Sequence, residues 1–237
     1  MIKNKILFFL ICLPLSAAQA QKAFEIMELH HQSHRQEFWD QVQTVSFEGV
    51  WFQDTRKRSF LLEAKKPGKV LVKGTINGED YVECVNGTSN WAVDPLTKPG
   101  QVVALAEQES LILSNLIDFG SPLPADSNPE YKGVVNENRI PSFWLQINKG
   151  ASTQVDYFID REDYLLRKMN LVRIGPDQNK EVILSITYDQ YKKYGPVVLA
   201  SVLVVKSQKL EREYVLDETI IGNGIPNKIF ERPEQYP

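Results

Sequence analysis

Residues 45–85 read VSFEGVWFQDTRKRSFLLEAKKPGKVLVKGTINGEDYVECV. Four runs rich in β-branched and aromatic residues lie within this stretch, at 45–53, 58–65, 69–76 and 81–85. Residues that favour turns separate the runs: Asp54-Thr55, Pro67-Gly68 and Asn77-Gly78. Because connections of this length join neighbouring antiparallel strands, the stretch predicts a β-meander.

The strand pattern continues toward the C-terminal part of the chain. A short strand around Trp91 is bracketed by Asn86-Gly87 and Asp94-Pro95. Further runs fit strands at 132–135, 142–148, 154–160, 165–173, 181–191, 196–206 and 209–216. Several of them, such as 197–205, are apolar at successive positions, which is typical of a strand covered on both faces. The chain is therefore predicted to be mainly β, with roughly 11 to 12 strands.

Two segments have helical spacing instead. The first extends from 23 to 43 without proline or glycine, and its apolar stripe consists of Phe24, Met27, His31, Phe38 and Val42. The second is predicted at 102–119, where Gly120 and Pro122 can end it. The segment 121–130 that follows is predicted to be a solvated loop.

The N-terminus has the features of an export signal. Lys3 and Lys5 precede an apolar stretch at 6–15, and Ala18-Gln19-Ala20 supplies small residues at a cleavage site. We expect residues 1–20 to be a signal peptide and residues 21–237 to form one mature domain in the periplasm of a Gram-negative bacterium. The apolar stretch is shorter than the ~20 residues that a membrane-spanning helix needs.

Composition excludes some partners. The chain has 27 Lys+Arg and 30 Asp+Glu, a formal net charge of −3, and removal of Lys3 and Lys5 would make the mature chain more acidic. This balance does not fit a nucleic-acid binder. Cys84 is the one cysteine after the signal, so no disulfide is expected within the chain, and a buried strand position fits it.

Catalytic and metal chemistry have little support in the sequence. All three histidines, His30, His31 and His34, fall on the first predicted helix. His30 and His34 have the i, i+4 spacing of a metal pair, but no third ligand follows them, and amphipathic packing explains them as well. Nucleophilic catalysis by a serine or Cys84 would require a histidine elsewhere. We therefore expect no enzyme activity, no cofactor and no metal.

Three local motifs carry a family resemblance. They are Lys65-Lys66-Pro67 before a strand, the stretch VNGTSNWAVDP at 85–95, and Tyr157-Phe158-Ile159-Asp160 followed by Tyr164-Leu165-Leu166-Arg167. Together with the order of elements, these motifs resemble the LolA family, the periplasmic carriers that sort outer-membrane lipoproteins. The resemblance spans essentially the whole mature chain, and the stretch from Asn86 to Pro95 is its most specific part.

The resemblance implies a fold and a site. The fold is a half-open, strongly curved antiparallel β-barrel, LolA/LolB-like, covered by lid helices at 23–43 and 102–119. Its interior would be an apolar cavity for acyl chains, lined by Phe47, Trp51, Phe60, Leu62, Trp91, Phe143, Leu145 and Tyr157. Lys66 matches the family's basic residue that contacts the lid and helps control release, where the best-known members have arginine. Leu111 and Leu116 would belong to the lid.

The function that follows is a monomeric carrier. It would bind a lipid or lipidated protein, receive it from an inner-membrane donor and deliver it toward an outer-membrane acceptor. The alternative is a sensor or partner-binding module with the same fold and a filled interior, because the apolar strand faces fit a solid core as well as a cavity. A hydrolase or metal protein is a third and weaker hypothesis, and the sequence does not name the cargo.

Overall fold

The computed structural model describes residues 3–53, 56–87, 89–116, 122–124 and 126–234, with backbone alone at 3–17. Its helices are α1 Lys3–His34, α2 Gln36–Trp39 and α3 Glu107–Leu116, and a 3-10 turn covers Asn227–Phe230. The strands are β1 Thr44–Gln53, β2 Arg56–Lys65, β3 Lys69–Ile76, β4 Glu79–Val85, β5 Trp91–Val93, β6 Val102–Ala104, β7 Glu130–Glu137, β8 Ile140–Asn148, β9 Thr153–Asp160, β10 Leu166–Ile174, β11 Lys180–Tyr194, β12 Val197–Ser207 and β13 Glu211–Ile221.

The strand order is linear: β6-β5-β4-β3-β2-β1-β13-β12-β11-β10-β9-β8-β7. The sheet is therefore unclosed, with β6 and β7 at its two ends. Every predicted strand is present, and the prediction of a mainly β, antiparallel chain is confirmed. The chain forms two compact units, unit 1 at 1–34 and 123–183 and unit 2 at 35–122 and 184–237. The signal peptide and the single mature domain stay predictions.

The predicted helix at 102–119 was too long at its start. Val102, Val103 and Ala104 instead form β6, where they pair with Val93, Ala92 and Trp91. The helix α3 begins only at Glu107, because the first three residues satisfy their backbone groups across the sheet edge. Residues 117–119 lie outside the described part of the chain.

The first predicted helix was wrong in its end and in its buried face. Arg35 adopts a left-handed conformation with φ 56°, so α1 ends at His34 and only the short α2 follows. Phe24 and Phe38 are exposed. The buried positions of the described part of α1 are Ala23, Ile26, Met27, His30 and His34.

The sheet of unit 2 has two buried faces, which its register defines. Phe47 pairs with Leu62, and Leu62 pairs with Val72, so these side chains share one face. Cys84 pairs with Trp91 and with Leu71, and these side chains share the other. The first face is buried against α3, which contacts β3, β4 and β12 and buries Ile112, Leu113 and Leu116.

The first face is concave. Four strand steps separate β4 from β13, about 19 Å in a flat sheet. Nevertheless Arg212 of β13 and Glu83 of β4 are joined by a hydrogen bond of 2.9 Å. The two side chains can meet only if the intervening strands curve toward them. We call this surface, which carries Phe47, Trp51, Phe60, Leu62 and Tyr214, the concave face, and the opposite surface the convex face.

The C-terminal segment covers the convex face. The carbonyl oxygen of Phe230 accepts hydrogen bonds from Asn86 Nδ2 at 2.8 Å, from Trp91 Nε1 at 3.1 Å and from Cys84 Sγ at 3.4 Å. Lys65 Nζ donates to the carbonyl of Ile225 at 2.8 Å. The stretch at 85–95 and Lys65, both quoted for the family resemblance, therefore serve to anchor the end of the chain.

In unit 1, strands β7 to β10 form an antiparallel meander. Phe143, Leu145 and Tyr157 share one buried face, because Leu145 pairs with Tyr157 and Phe143 with Ile159. The turn after β9 is closed by Arg167, which binds Asp160 and Asp163. The second half of the family motif therefore has a structural role in this turn.

Gly49 allows the sheet of unit 2 to bend, and replacing it tests this role. The register between β1 and β13 shifts at Glu48/Gly49, and a Cβ on Gly49 would lie 2.1 Å from the carbonyl oxygen of Val215. Since the backbone oxygen of Val215 can move away only if its strand shifts, Gly49→Ala should lower the free energy of unfolding by about 2 kcal/mol or more. Urea denaturation measures the loss. Ser59→Ala, at an exposed position of β2, is the control and should unfold like the wild type.

Candidate functional site

The concave face of unit 2 is apolar at one end. Phe47, Phe60 and Leu62 are each no more than 4% exposed, and they lie on the paired strands β1 and β2. The apolar side chains of α3 complete the enclosure. Among the described residues, two side-chain hydrogen bonds add to this packing, Asn90 Nδ2 to Ser110 Oγ at 2.7 Å and Ser207 Oγ to Gln108 Oε1 at 2.9 Å.

Aromatic rings occupy the middle of the concave face. The ring centroid of Trp51 lies 6.2 Å from that of Tyr81, and Phe60 meets Tyr214 edge to face at 5.6 Å. The indole of Trp51 is also stacked by the guanidinium of Arg212, at 4.5 Å from the ring centroid. The aromatic rings therefore separate the apolar end from a charged end.

A buried ion pair defines that charged end. Arg212 donates to both carboxylate oxygens of Glu83, at 2.9 and 3.0 Å, and its side chain is only 6% exposed, that of Glu83 3%. Arg212 also contacts the hydroxyl groups of Tyr81 at 3.2 Å and Tyr214 at 3.4 Å, and the Tyr81 hydroxyl donates to Glu83. The pair is therefore satisfied on both sides by hydrogen bonds.

The ionisation of these groups follows from their burial. Burial opposes the charge on Arg212, but the Glu83 carboxylate and the two tyrosines outweigh it and raise the pKa of the guanidinium. Burial raises the pKa of Tyr81, and the charge of Glu83 raises it further. Arg212 therefore stays charged and the phenols of Tyr81 and Tyr214 stay neutral over the physiological range.

A pocket of about 380 Å³ opens beside the ion pair. It is lined by strand residues of the charged end, by the segments that follow β5 and precede α3, and by the first turn of α3, including Arg56, Arg58, Tyr81, Glu83, Arg212, Asp94, Ala106 and Glu109. Its volume lies toward the small end of the range for sites that hold small molecules. The pocket and the concave face are continuous, since Tyr81, Glu83 and Arg212 belong to both.

The predicted cavity residues divide into three groups. Phe47, Trp51, Phe60 and Leu62 lie together on the concave face of unit 2, as their register requires. Trp91 does not join them, because its pairing with Cys84 turns the indole to the convex face. The remaining three, Phe143, Leu145 and Tyr157, are buried in unit 1.

The predicted lid and release residues lie in unit 2. Leu116 is buried and Leu111 half-buried on α3. Lys66 Nζ donates to the carbonyl oxygen of Trp39 at 2.8 Å, so in this structure it binds the end of α2. Its family-derived role in release stays a prediction.

Glu83 and Arg212 were not predicted from the sequence as site residues. One signal was available: Glu83 interrupts the otherwise apolar run Tyr81-Val82-Glu83-Cys84-Val85 of β4, and a charge inside a buried strand requires a partner. The identity of that partner, 129 positions away, had no local signal.

The histidines pack unit 1. Because a carbonyl oxygen can only accept, Nδ1 of His30 donates to Tyr164 at 2.8 Å and Nε2 of His31 donates to Leu123 at 2.8 Å. His30 and His34 meet edge to face at 4.5 Å. No group of three or more His, Cys, Asp or Glu side chains among the described residues is arranged to hold a metal ion. None of the described helices is long and apolar enough to cross a membrane.

Comparison with solved structures reveals the fold. A protein domain from Vibrio parahaemolyticus, named for outer membrane lipoprotein sorting, aligns with a TM-score of 0.56 and 14% identity over 89% of this chain and 97% of its own. A DUF1329 family protein from Desulfovibrio piger aligns with a TM-score of 0.59 and 12% identity over 90% of this chain and 97% of its own. The chain has a LolA-like fold. No family model and no curated protein matches the sequence, so the likeness is one of structure.

The LolA-like fold agrees with the resemblance drawn from the sequence motifs. It does not by itself assign a ligand, since one fold hosts several functions. In this chain the fold contains a buried ion pair and an arginine-lined pocket, both in unit 2.

Removing one member of the ion pair tests its burial. Glu83→Leu leaves Arg212 without its carboxylate, which should cost about 3 kcal/mol of unfolding free energy. The double variant Glu83→Leu/Arg212→Met should recover most of the loss, because no charge remains buried. Chemical denaturation measures both. As a control, Glu211→Ala removes the exposed pair with Lys206 at 2.8 Å and should cost less than about 1 kcal/mol.

Acidification should weaken unit 1 through His30. Burial lowers the pKa of His30 well below its ordinary value, and His34 lowers it further. The unfolded chain therefore takes up a proton on His30 near pH 6.5 while the folded chain does not. Stability should fall as the pH drops from 6.5 toward the folded-state pKa. His30→Gln, measured by thermal unfolding from pH 7.5 to 5, should show a flatter dependence, and equal slopes would contradict the assignment.

Proposed function

We propose that the protein is a periplasmic carrier that binds the acyl chains of a lipid or lipidated protein on the concave face of unit 2. The observation that supports it most is the cover of this face. A large aromatic and aliphatic surface lies under a helix of ten residues. In the part of the chain that the structure describes, three buried apolar side chains and two side-chain hydrogen bonds hold this helix.

The burial energy of the α3 side chains is similar in size to that of an acyl chain, so one can replace the other on the concave face. Burying Ile112, Leu113 and Leu116 contributes roughly 5–9 kcal/mol, at about 1.5–3 kcal/mol for each side chain. An acyl chain of about 14 methylenes gains ~11 kcal/mol on burial at ~0.8 kcal/mol each. The chain can therefore replace the contacts of α3, so that α3 acts as a lid that opens when cargo enters.

Export and delivery complete the proposal. The predicted signal peptide at 1–20 would place the mature chain in the periplasm, where cargo would pass from an inner-membrane donor to an outer-membrane acceptor. A name for outer membrane lipoprotein sorting, attached to a protein of the same fold, supports this direction. We expect the carrier to act as a monomer and without catalysis.

Native cargo provides the direct test. The mature protein, purified from its own periplasm without detergent, should carry stoichiometric lipid or acylated peptide when the extract is measured by mass spectrometry. Ligand-free protein that also fails to bind a fluorescent fatty acid would contradict the carrier. It would favour the alternative, a LolA-fold module that binds a partner protein with a filled interior.

Substitutions on α3 test its proposed role as a lid. Leu116 is 5% exposed on the inner side of α3, so Leu116→Asp introduces a charge into the contact with which α3 replaces departing cargo, and it should slow the release of a bound fluorescent fatty acid by about tenfold or more. Ser114→Asp adds the same charge to the exposed side of α3 and is the matched control. Stopped-flow dilution measures both rates. Identical rates in the two variants would remove α3 from the release step.

A further inference from the structure

We propose that the pocket at the charged end of the concave face binds the anionic headgroup of the cargo, a phosphate or a carboxylate. This inference rests on the proposed carrier function, since it assigns the chemistry of the molecule that the concave face would hold. It makes the cargo an anionic amphiphile rather than a neutral lipid.

Polarity changes in order along two paired strands. On the concave face, successive pairs of β1 and β2 are Phe47 with Leu62, Gly49 with Phe60, Trp51 with Arg58 and Gln53 with Arg56. The series begins with apolar side chains, passes through aromatic rings and ends with guanidinium groups. Four residues of strand, about 14 Å, separate Leu62 from Arg58. An acyl chain lying along this series would bring its headgroup to the arginines.

Two of the pocket's arginines are available for an anion. Arg58 is half-buried, with its guanidinium 4.9 Å from the Trp51 ring centroid, and Arg56 lines the same pocket. Neither forms an ion pair with any carboxylate of the described residues, whereas Arg212 is already bound to Glu83. The planar fork of a guanidinium matches phosphate and carboxylate oxygens with two parallel hydrogen bonds.

The acidic residues of the pocket do not block this use. Glu83 binds Arg212, and the carboxylate of Asp94 accepts hydrogen bonds from the Leu96 backbone N–H at 2.9 Å and the Thr97 hydroxyl at 3.1 Å. Glu109 lies in the first turn of α3. When α3 opens, Glu109 moves away with it while the arginines stay on β2. The pocket therefore becomes more positive at the step in which cargo enters.

The size of the pocket also indicates that the headgroup and the acyl part of the cargo bind at different places. A volume of about 380 Å³ accommodates a headgroup but not a whole lipid. The acyl part must lie outside it, and the continuous neighbour of the pocket is the apolar end of the concave face.

Three ligands with one chain length test the proposal: hexadecyl phosphate, palmitate and hexadecanol. Their affinities for the full mature chain are measured by displacement of a fluorescent acyl probe, below the concentration at which each forms micelles. The wild type should bind the two anions at least about tenfold more tightly than hexadecanol, the worth of one charge-assisted contact. Arg56→Gln/Arg58→Gln should lose this preference and keep the hexadecanol affinity, which also shows that the variant is folded. Lys57→Gln, at an exposed position between the two arginines in β2, should keep the preference.

The outcomes separate the two proposals. If the wild type binds all three ligands equally, or if the double variant keeps the preference for anions, the headgroup site is wrong and the carrier stands. If none of the three ligands binds, the carrier itself fails. Inorganic phosphate is the last ligand to be tested in the same assay. If it displaces the fluorescent acyl probe as effectively as hexadecyl phosphate does, the pocket is a site for free anions and the assignment to an amphiphile is overturned.

Discussion

Glu83 and Arg212 place two charges inside unit 2, where an isolated charge would be too costly to remain ionised. Each must therefore reach the other, although β4 and β13 are four strand steps apart. The curvature of the sheet satisfies this requirement. The register shift at Gly49 lies on β1, between the two charged strands, and bulges of this kind increase the bend of a sheet. The ion pair, the shift and the concave face thus depend on one another.

Stability alone does not explain such a pair, since well-packed apolar residues of similar volume often serve as well or better. The pair also makes polar contacts with the aromatic residues that apolar side chains could not make. Arg212 lies against Trp51 and binds the hydroxyl groups of Tyr81 and Tyr214, so it orients the aromatic middle of the concave face. Because Glu83 and Arg212 neutralise each other, the pair lines the pocket without forming an ion pair with Arg56 or Arg58. The charges of these two arginines therefore remain available to a ligand.

The extent to which the sequence predicted this arrangement depends on how local each signal is. The strands followed from turn residues and β-branched runs, and the shared face of Phe47, Trp51, Phe60 and Leu62 followed from alternation within strands. The side on which Trp91 lies depends on its register with Cys84 and on the C-terminal segment, neither of which has a periodic signal. The buried face of α1 likewise depends on distant carbonyl groups, those of Tyr164 and Leu123, rather than on the apolar spacing alone.

A carrier differs from a storage protein in that its cargo must leave, and the proposed role of α3 as a lid over the concave face of unit 2 would meet this requirement. An empty apolar trough would bind an acyl chain with nearly the full burial energy and release it slowly. In the proposed carrier, cargo would displace Ile112, Leu113 and Leu116, which are buried on α3, so a large part of the gain would be offset by the contacts that α3 loses. The charged pocket can then add selectivity, because headgroup contacts discriminate between ligands whose chains gain the same energy. In the proposed carrier, moderate affinity and selectivity for the headgroup would thus be separated along one strand pair, β1 with β2.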